Sequence, residues 1–149
     1  MSWHLCTIAA DSSRNWVLCK EVSAWGVHTQ RENVRSGRCG EGDQLLFWLA
    51  SKGFAGYARV TENIRQPKDA TEAPWLGGPS RYGLIVPFEM ELELPKPLPL
   101  KFVNHKQEKT GINLFQLRRG FVGINDQAAE TAARLIREAL VIQQAAATA

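Results

Sequence analysis

From Phe88 to Leu94 the chain alternates without a break, Phe88, Met90, Leu92 and Leu94 against Glu89, Glu91 and Glu93. A period of two sends successive side chains to opposite faces of a strand, so residues 82–94 demand a sheet with one dry and one wet face. The prolines at 95 and 97 predict the end of this strand, because proline cannot donate to a ladder. Residues 44–50 (QLLFWLA) and 56–64 (GYARVTENI) are two further β-prone runs. They flank the turn residues SKGFA and predict a hairpin with a glycine-containing loop. Residues 3–9 (WHLCTIA) make another such run ahead of Asp11, Ser12 and Ser13, any of which can cap a helix.

The helical periods are shorter. Between Ser12 and Val22, the apolar Trp16, Val17, Cys19 and Val22 share one face, with Arg14, Lys20 and Glu21 opposite. A helical turn is expected around Asn113 to Leu117. A closing helix starts at Asn125 or Asp126, where Ala128, Ala132, Leu135, Ile136 and Ala139 form a stripe that packs on the sheet. The tail, from about residue 143 to 149, is expected to fray. Residues 23–43 carry Gly26, Gly37, Gly40 and Gly42 and read as loop, with GRCGEGD a turn before a strand. Residues 65–81, rich in Pro, Asp and Gly, read as an excursion. With no repeat or linker, strands and helices mix in a single α+β domain over residues 1–149, built on a curved or closed sheet.

Composition excludes several classes. The cysteines Cys6, Cys19 and Cys39 form no CxxC pair, and His4, His28 and His105 are scattered. Neither a disulfide framework nor a metal is expected, and no cofactor. No run approaches the roughly 20 apolar residues of a membrane span, and MSWHLC does not open like a signal peptide, so the expected setting is cytoplasmic and membrane-free. No GxSxG elbow, Cys–His pair or paired loop carboxylates stand out, so no catalytic residue is assigned.

Binding chemistry is easier to find. Of five tryptophans, Trp3, Trp16 and Trp48 fall in regular elements, whereas Trp25 (AWGV) and Trp75 (APWLGG) fall in expected loops. Two such indoles can stack on a planar ligand, each contact worth about 1–3 kcal/mol, and a desolvated pair also attracts a methylated or cationic ring. They serve equally well as plugs at the ends of a small barrel. Lys101, Lys106, Lys109, Arg118 and Arg119 stand against the single acid Glu108. They read either as a patch that meets phosphates or as an ordinary solvated face. The net charge of +3 permits a polyanion without demanding one.

In order along the chain, WHLC, the Asn15–Trp16 pair, AWGV, GEGDQLLFWLA, GYARVT and the basic stretch closing in FVGI resemble an EVE domain of the PUA-like superfamily, from about Trp3 to Ile136. The resemblance implies a small curved β-barrel with flanking helices. EVE domains are themselves similar to YTH domains, which read methylated bases in an aromatic cage, so a pocket for a modified nucleobase is implied. Trp25 stands at the matched cage position and Trp75 at the second. Gly26 and Val27 would line the wall, and Thr7 and Ala9 the floor. Arg118 and Arg119, with Lys106 and Lys109, fall where phosphates would lie. Where relatives carry an aromatic residue before the position of Thr110, this chain has Lys109; Trp48 could take the part of a third wall, but it sits in an apolar strand and reads as core. The expectation is a noncatalytic reader of modified DNA or RNA, taken as a single strand or a flipped base, with a separate nuclease or modifying enzyme as a partner. The rival classes are an enzyme or enzyme subunit acting on a nucleoside or small planar metabolite, and a protein-interaction domain.

Overall fold

In the computed structural model, which describes residues 1–29 and 39–148, the elements are β1 (Trp3–Ile8), α1 (Arg14–Val22), β2 (Ala24–Val27), β3 (Gln44–Leu49), β4 (Gly53–Val60), α2 (Gly78–Arg81), β5 (Leu84–Leu98), β6 (Phe102–Val103), β7 (Lys106–Gln107), α3 (Leu114–Arg118), β8 (Phe121–Ile124) and α4 (Asp126–Thr148). Six strands pair in the order β2-β5-β4-β3-β1-β8, and β6 and β7 form a separate ribbon. The sheet curls into a half-barrel with β2 and β8 at its edges. Only the β1–β3 pair is parallel, with Trp3 opposite Gln44 and Ile8 opposite Leu49; the other pairs of the sheet are antiparallel. This is the mixed α+β architecture expected.

The apolar runs of β1 and β3 are continuous because both faces are covered. Trp3, Leu5, Leu46 and Trp48 point to a core closed by Ala132, Ala133 and Ile136 of α4. Cys6, Ile8, Leu45 and Phe47 point to a second core with Trp16 of α1, Trp25, Trp75 and Phe88. On β5 the alternation holds: Phe88 and Leu94 are buried while Glu89, Glu91 and Glu93 are exposed. The three carboxylates meet Arg59 at 3.1 Å, Gln44 at 2.8 Å and Lys20 at 2.6 Å. No helix among the described residues is long and apolar enough to cross a membrane.

Several local expectations are corrected. Trp25 lies in a strand, not a loop: Ala24 to Val27 pair with Pro87 to Leu84, a partner some sixty residues on that no local signal reveals. Residues 30–38 of the expected loop lie outside the described residues. The hairpin turns earlier than SKGFA suggests, with Lys52 N–H on the Leu49 carbonyl at 2.9 Å, so β4 begins at Gly53 and has ended before residue 61. Gly53 is required, because its φ is +125° and a Cβ would sit 2.3 Å from the Leu98 carbonyl oxygen. β5 runs through Pro95 and Pro97 instead of stopping there. Its register slips between Gly56↔Glu93 and Phe54↔Leu98, so the prolines occupy a bulge that needs no ladder donor. Lys96 within it is held by the Gln143 amide of α4, at 3.1 and 2.9 Å. Val17 is 49% exposed instead of sharing the buried face of Trp16 and Cys19. The expected frayed tail is helical to Thr148, though exposed.

Candidate functional site

A cavity of about 210 Å³ opens where the C-terminal end of β1, α1, β2, the loop before α2 and the link between α3 and β8 meet. Thr7 and Ala9 come from β1 and its end, Trp25 and Gly26 from β2, and Trp75, Arg81 and Tyr82 from the excursion. Arg119 and Phe121 come from either side of the turn into β8.

The excursion is a braced arm that delivers Trp75. Arg65 exchanges backbone hydrogen bonds with Ile85 at 3.1 and 2.7 Å, and its guanidinium grips Glu72 through two bonds of 3.0 and 2.9 Å. The Lys68 N–H adds a bond of 2.6 Å to the same carboxylate. The Arg65 guanidinium, with that backbone donor, holds the Glu72 carboxyl down at about 2. Three residues on, Trp75 is only 3% exposed, with its ring 5.2 Å from that of Tyr82. Both rings lie against Gly26: a Cβ there would be 2.8 Å from Trp75 and 2.9 Å from Tyr82. Glycine at 26 is therefore what lets two aromatic walls approach the strand. Burial pushes the Cys19 thiol up to about 12, against the opposing hydrogen bond of the Trp75 indole.

Trp25 packs edge-tilted on Phe47, at 6.2 Å. Its Nε1 is buried and finds no hydrogen-bond partner among the described residues, and the same holds for Oγ1 of Thr7. A buried polar group left unpaired costs about 1–3 kcal/mol; a third such atom, Nε2 of Gln107, lies away from the cavity. Arg81 lies over the Tyr82 ring at 5.5 Å, and Arg119 is exposed at the mouth. No carboxylate lines the cavity among the described residues.

Of the residues singled out from sequence, Thr7, Ala9, Trp25, Gly26, Trp75 and Arg119 come together here. Val27 does not: it is 1% exposed and packs in the core. Arg118 is exposed but outside the lining, and Lys106 and Lys109 border a separate polar cleft of about 360 Å³ with Asn113, Gln116 and Asn125. Trp48 sits in the α4 core, against Phe54 and Phe102, and is no cage wall. Tyr82 and Arg81 also line the cavity; sequence reading missed both, because only the β2–β5 pairing sets the chain around residue 82 beside Gly26, against which the Tyr82 ring lies. The scattered histidines and cysteines also hide a cluster: His4, Cys39 and Asp43 place ligand atoms within 4.8 Å of one another, at the other end of β1.

The curled mixed sheet with its flanking helices has the fold of solved YTH domains. The RNA complex of the YTH domain-containing protein Mmi1 matches 97% of this chain and 87% of its own at a TM-score of 0.65 and 15% identity. A hypothetical protein from Leishmania major matches at a TM-score of 0.61 and 16% identity, covering 93% of this chain and 96% of that one. A Pseudomonas putida protein matches at 0.59 and 16% identity, covering 90% and 99%. At these identities the likeness is one of fold. No protein-family model and no curated protein matches the sequence.

Proposed function

We propose that this chain is a noncatalytic nucleic-acid-binding module of the EVE type that holds a modified nucleobase in the cavity between Trp25, Trp75 and Tyr82. The observation that carries the reading is the cavity itself, which joins aromatic walls, two lining residues whose buried polar atoms find no partner among the described residues, and guanidinium groups. Apolar cavities with a few convergent polar groups are the usual form of a small-ring site. A base ring fits the aromatic walls, its edge offers an acceptor to a buried donor, and its phosphate meets Arg119 and Arg81. Two guanidinium groups without a lining carboxylate repel a positive ring, so the base read is neutral, not cationic. Burial holds the Cys19 thiol up at about 12, which disfavours it as a nucleophile. The likeness in fold to the Mmi1 domain, solved in complex with RNA, supports a nucleic-acid ligand. A nuclease or modifying enzyme would act on what this module finds.

The test is fluorescence anisotropy of short single-stranded DNA and RNA carrying plain or modified bases, at two salt concentrations. One neutral modification should bind at least tenfold tighter than its plain parent. Trp25→Ala should abolish that preference. Arg119→Ala should weaken all ligands alike and reduce the log–log salt slope by about 0.7, the share of one neutralised phosphate on a single strand. Equal losses from both variants, or no preference among bases, would overturn the cage.

A further inference from the structure

We propose that His4, Cys39 and Asp43 form a metal site that takes one divalent ion of the zinc type, independent of the aromatic cavity. The three side chains bring Nε2, Sγ and a carboxylate oxygen within 4.8 Å of one another. His4 Nε2 and Asp43 Oδ2 are 3.2 Å apart, close to the about 3.4 Å expected of two light donors on one tetrahedral ion with bonds near 2.0–2.2 Å. One imidazole, one thiol and one carboxylate make a borderline donor set, which selects zinc over the hard, all-oxygen cations.

The donors are held from behind, as ligands are. Cys39 and Asp43 share a tight turn: Asp43 N–H bonds the Gly40 carbonyl at 3.0 Å, Gly42 has a φ of +90°, and its N–H bonds the Val60 carbonyl at 2.9 Å. The Asp43 carboxylate accepts from Ser2 N–H on Oδ1 and from Gly40 N–H on Oδ2, each at 3.0 Å. These outer bonds fix its orientation, the arrangement that second-shell partners give a coordinating carboxylate. One face of the His4 ring stacks on Phe121, at 5.4 Å between centroids and 20° between planes. His4 and Cys39 are each 4% exposed, while the Asp43 side chain keeps 14%, so an ion and a water as fourth ligand would enter from the Asp43 side.

Binding converts the Cys39 thiol to thiolate, its proton going to solvent, and needs the imidazole of His4 with its ring proton on Nδ1 so that Nε2 offers a lone pair; apparent affinity therefore rises with pH. The bound ion would tie the start of β1 to the turn that leads into β3, at the opposite end of β1 from Thr7 and Ala9.

The experiment is titration of the chelator-stripped full chain with Zn²⁺ and, separately, Co²⁺. One equivalent should bind. Zn²⁺ at about a hundredfold excess over Kd should raise the Tm by roughly 5–10 °C. Co²⁺ should give a thiolate charge-transfer band in the near ultraviolet, and both effects should vanish in Cys39→Ser. In the unmutated protein, Co²⁺ should shift the imidazole proton resonances of His4 and leave those of His28 and His105 in place. That reading needs no variant to fold. Absence of the band in wild type, its survival in a folded Cys39→Ser, or shifts at His28 or His105 instead of His4 would overturn the site and leave His4 and Asp43 a simple hydrogen-bonded pair.

Discussion

Gly26 shows how much one side chain's absence decides. It has ordinary backbone angles, so its role is space: the rings of Trp75 and Tyr82 occupy the position a methyl would take. Gly26→Ala forces both rings to move, at a cost of about 1–3 kcal/mol for overpacking. Thermal melts should show that loss, the near-ultraviolet circular dichroism should change, and base binding should fall with it. Trp25 offers a separate test of what its nitrogen does. Trp25→Phe keeps most of the ring and deletes a donor that has no partner among the described residues. Stability should then change by less than about 1 kcal/mol, because the lost contacts are offset by removal of an unmade hydrogen bond. Affinity for the preferred base should drop at least tenfold; wild-type affinity in a folded Trp25→Phe would reduce Trp25 to a shape-filling wall.

At the scale of elements, the excursion from Arg65 to Tyr82 has few strand or helix bonds and depends on the Arg65–Glu72 pair, whose side chains are 27% and 29% exposed. The Glu72 carboxyl titrates at about 2, below its ordinary 4.5. A carboxyl depressed by folding contributes stability that is present above its unfolded value and lost as pH falls through its folded one. The Glu72 contribution should therefore be complete above about pH 4.5 and disappear towards pH 2. Melts of wild type and Glu72→Gln between pH 6 and 2 should converge at the acid end, the variant having the flatter profile. The capping box of α3, in which Asn113 accepts from Gln116 N–H at 2.9 Å and Gln116 returns the bond at 3.0 Å, sets the helix that leads into Arg119. Local chemistry of this kind is legible: the turn at Asn113, the start of α4 and the β3–β4 hairpin were all readable from neighbouring residues. The strand at Trp25 and the continuation of β5 past Pro95 were not, because each depends on a partner far along the chain.

For the molecule as a whole, the sheet separates two cores, and the cavity belongs to one of them. Ile136, fully buried in α4, belongs to the other. Ile136→Ala should lose about 2–5 kcal/mol in denaturant melts. Base affinity measured well below the melting transition should be unchanged, since no residue of that core lines the cavity. Coupled losses would mean that the half-barrel behaves as one packing unit.

By itself the sequence determined the class of architecture, the alternating strand, the amphipathic closing helix and two tryptophans that line the cavity, since each is written in local spacing or in an ordered set of short motifs. Tertiary structure alone decided which groups meet. Tyr82 and Arg81 join the cavity, Val27 leaves it, Lys106 and Lys109 move to a different cleft, and His4 finds Cys39 and Asp43. The physical reason is strand pairing: a register between segments tens of residues apart chooses which faces oppose each other, and no local pattern encodes that choice.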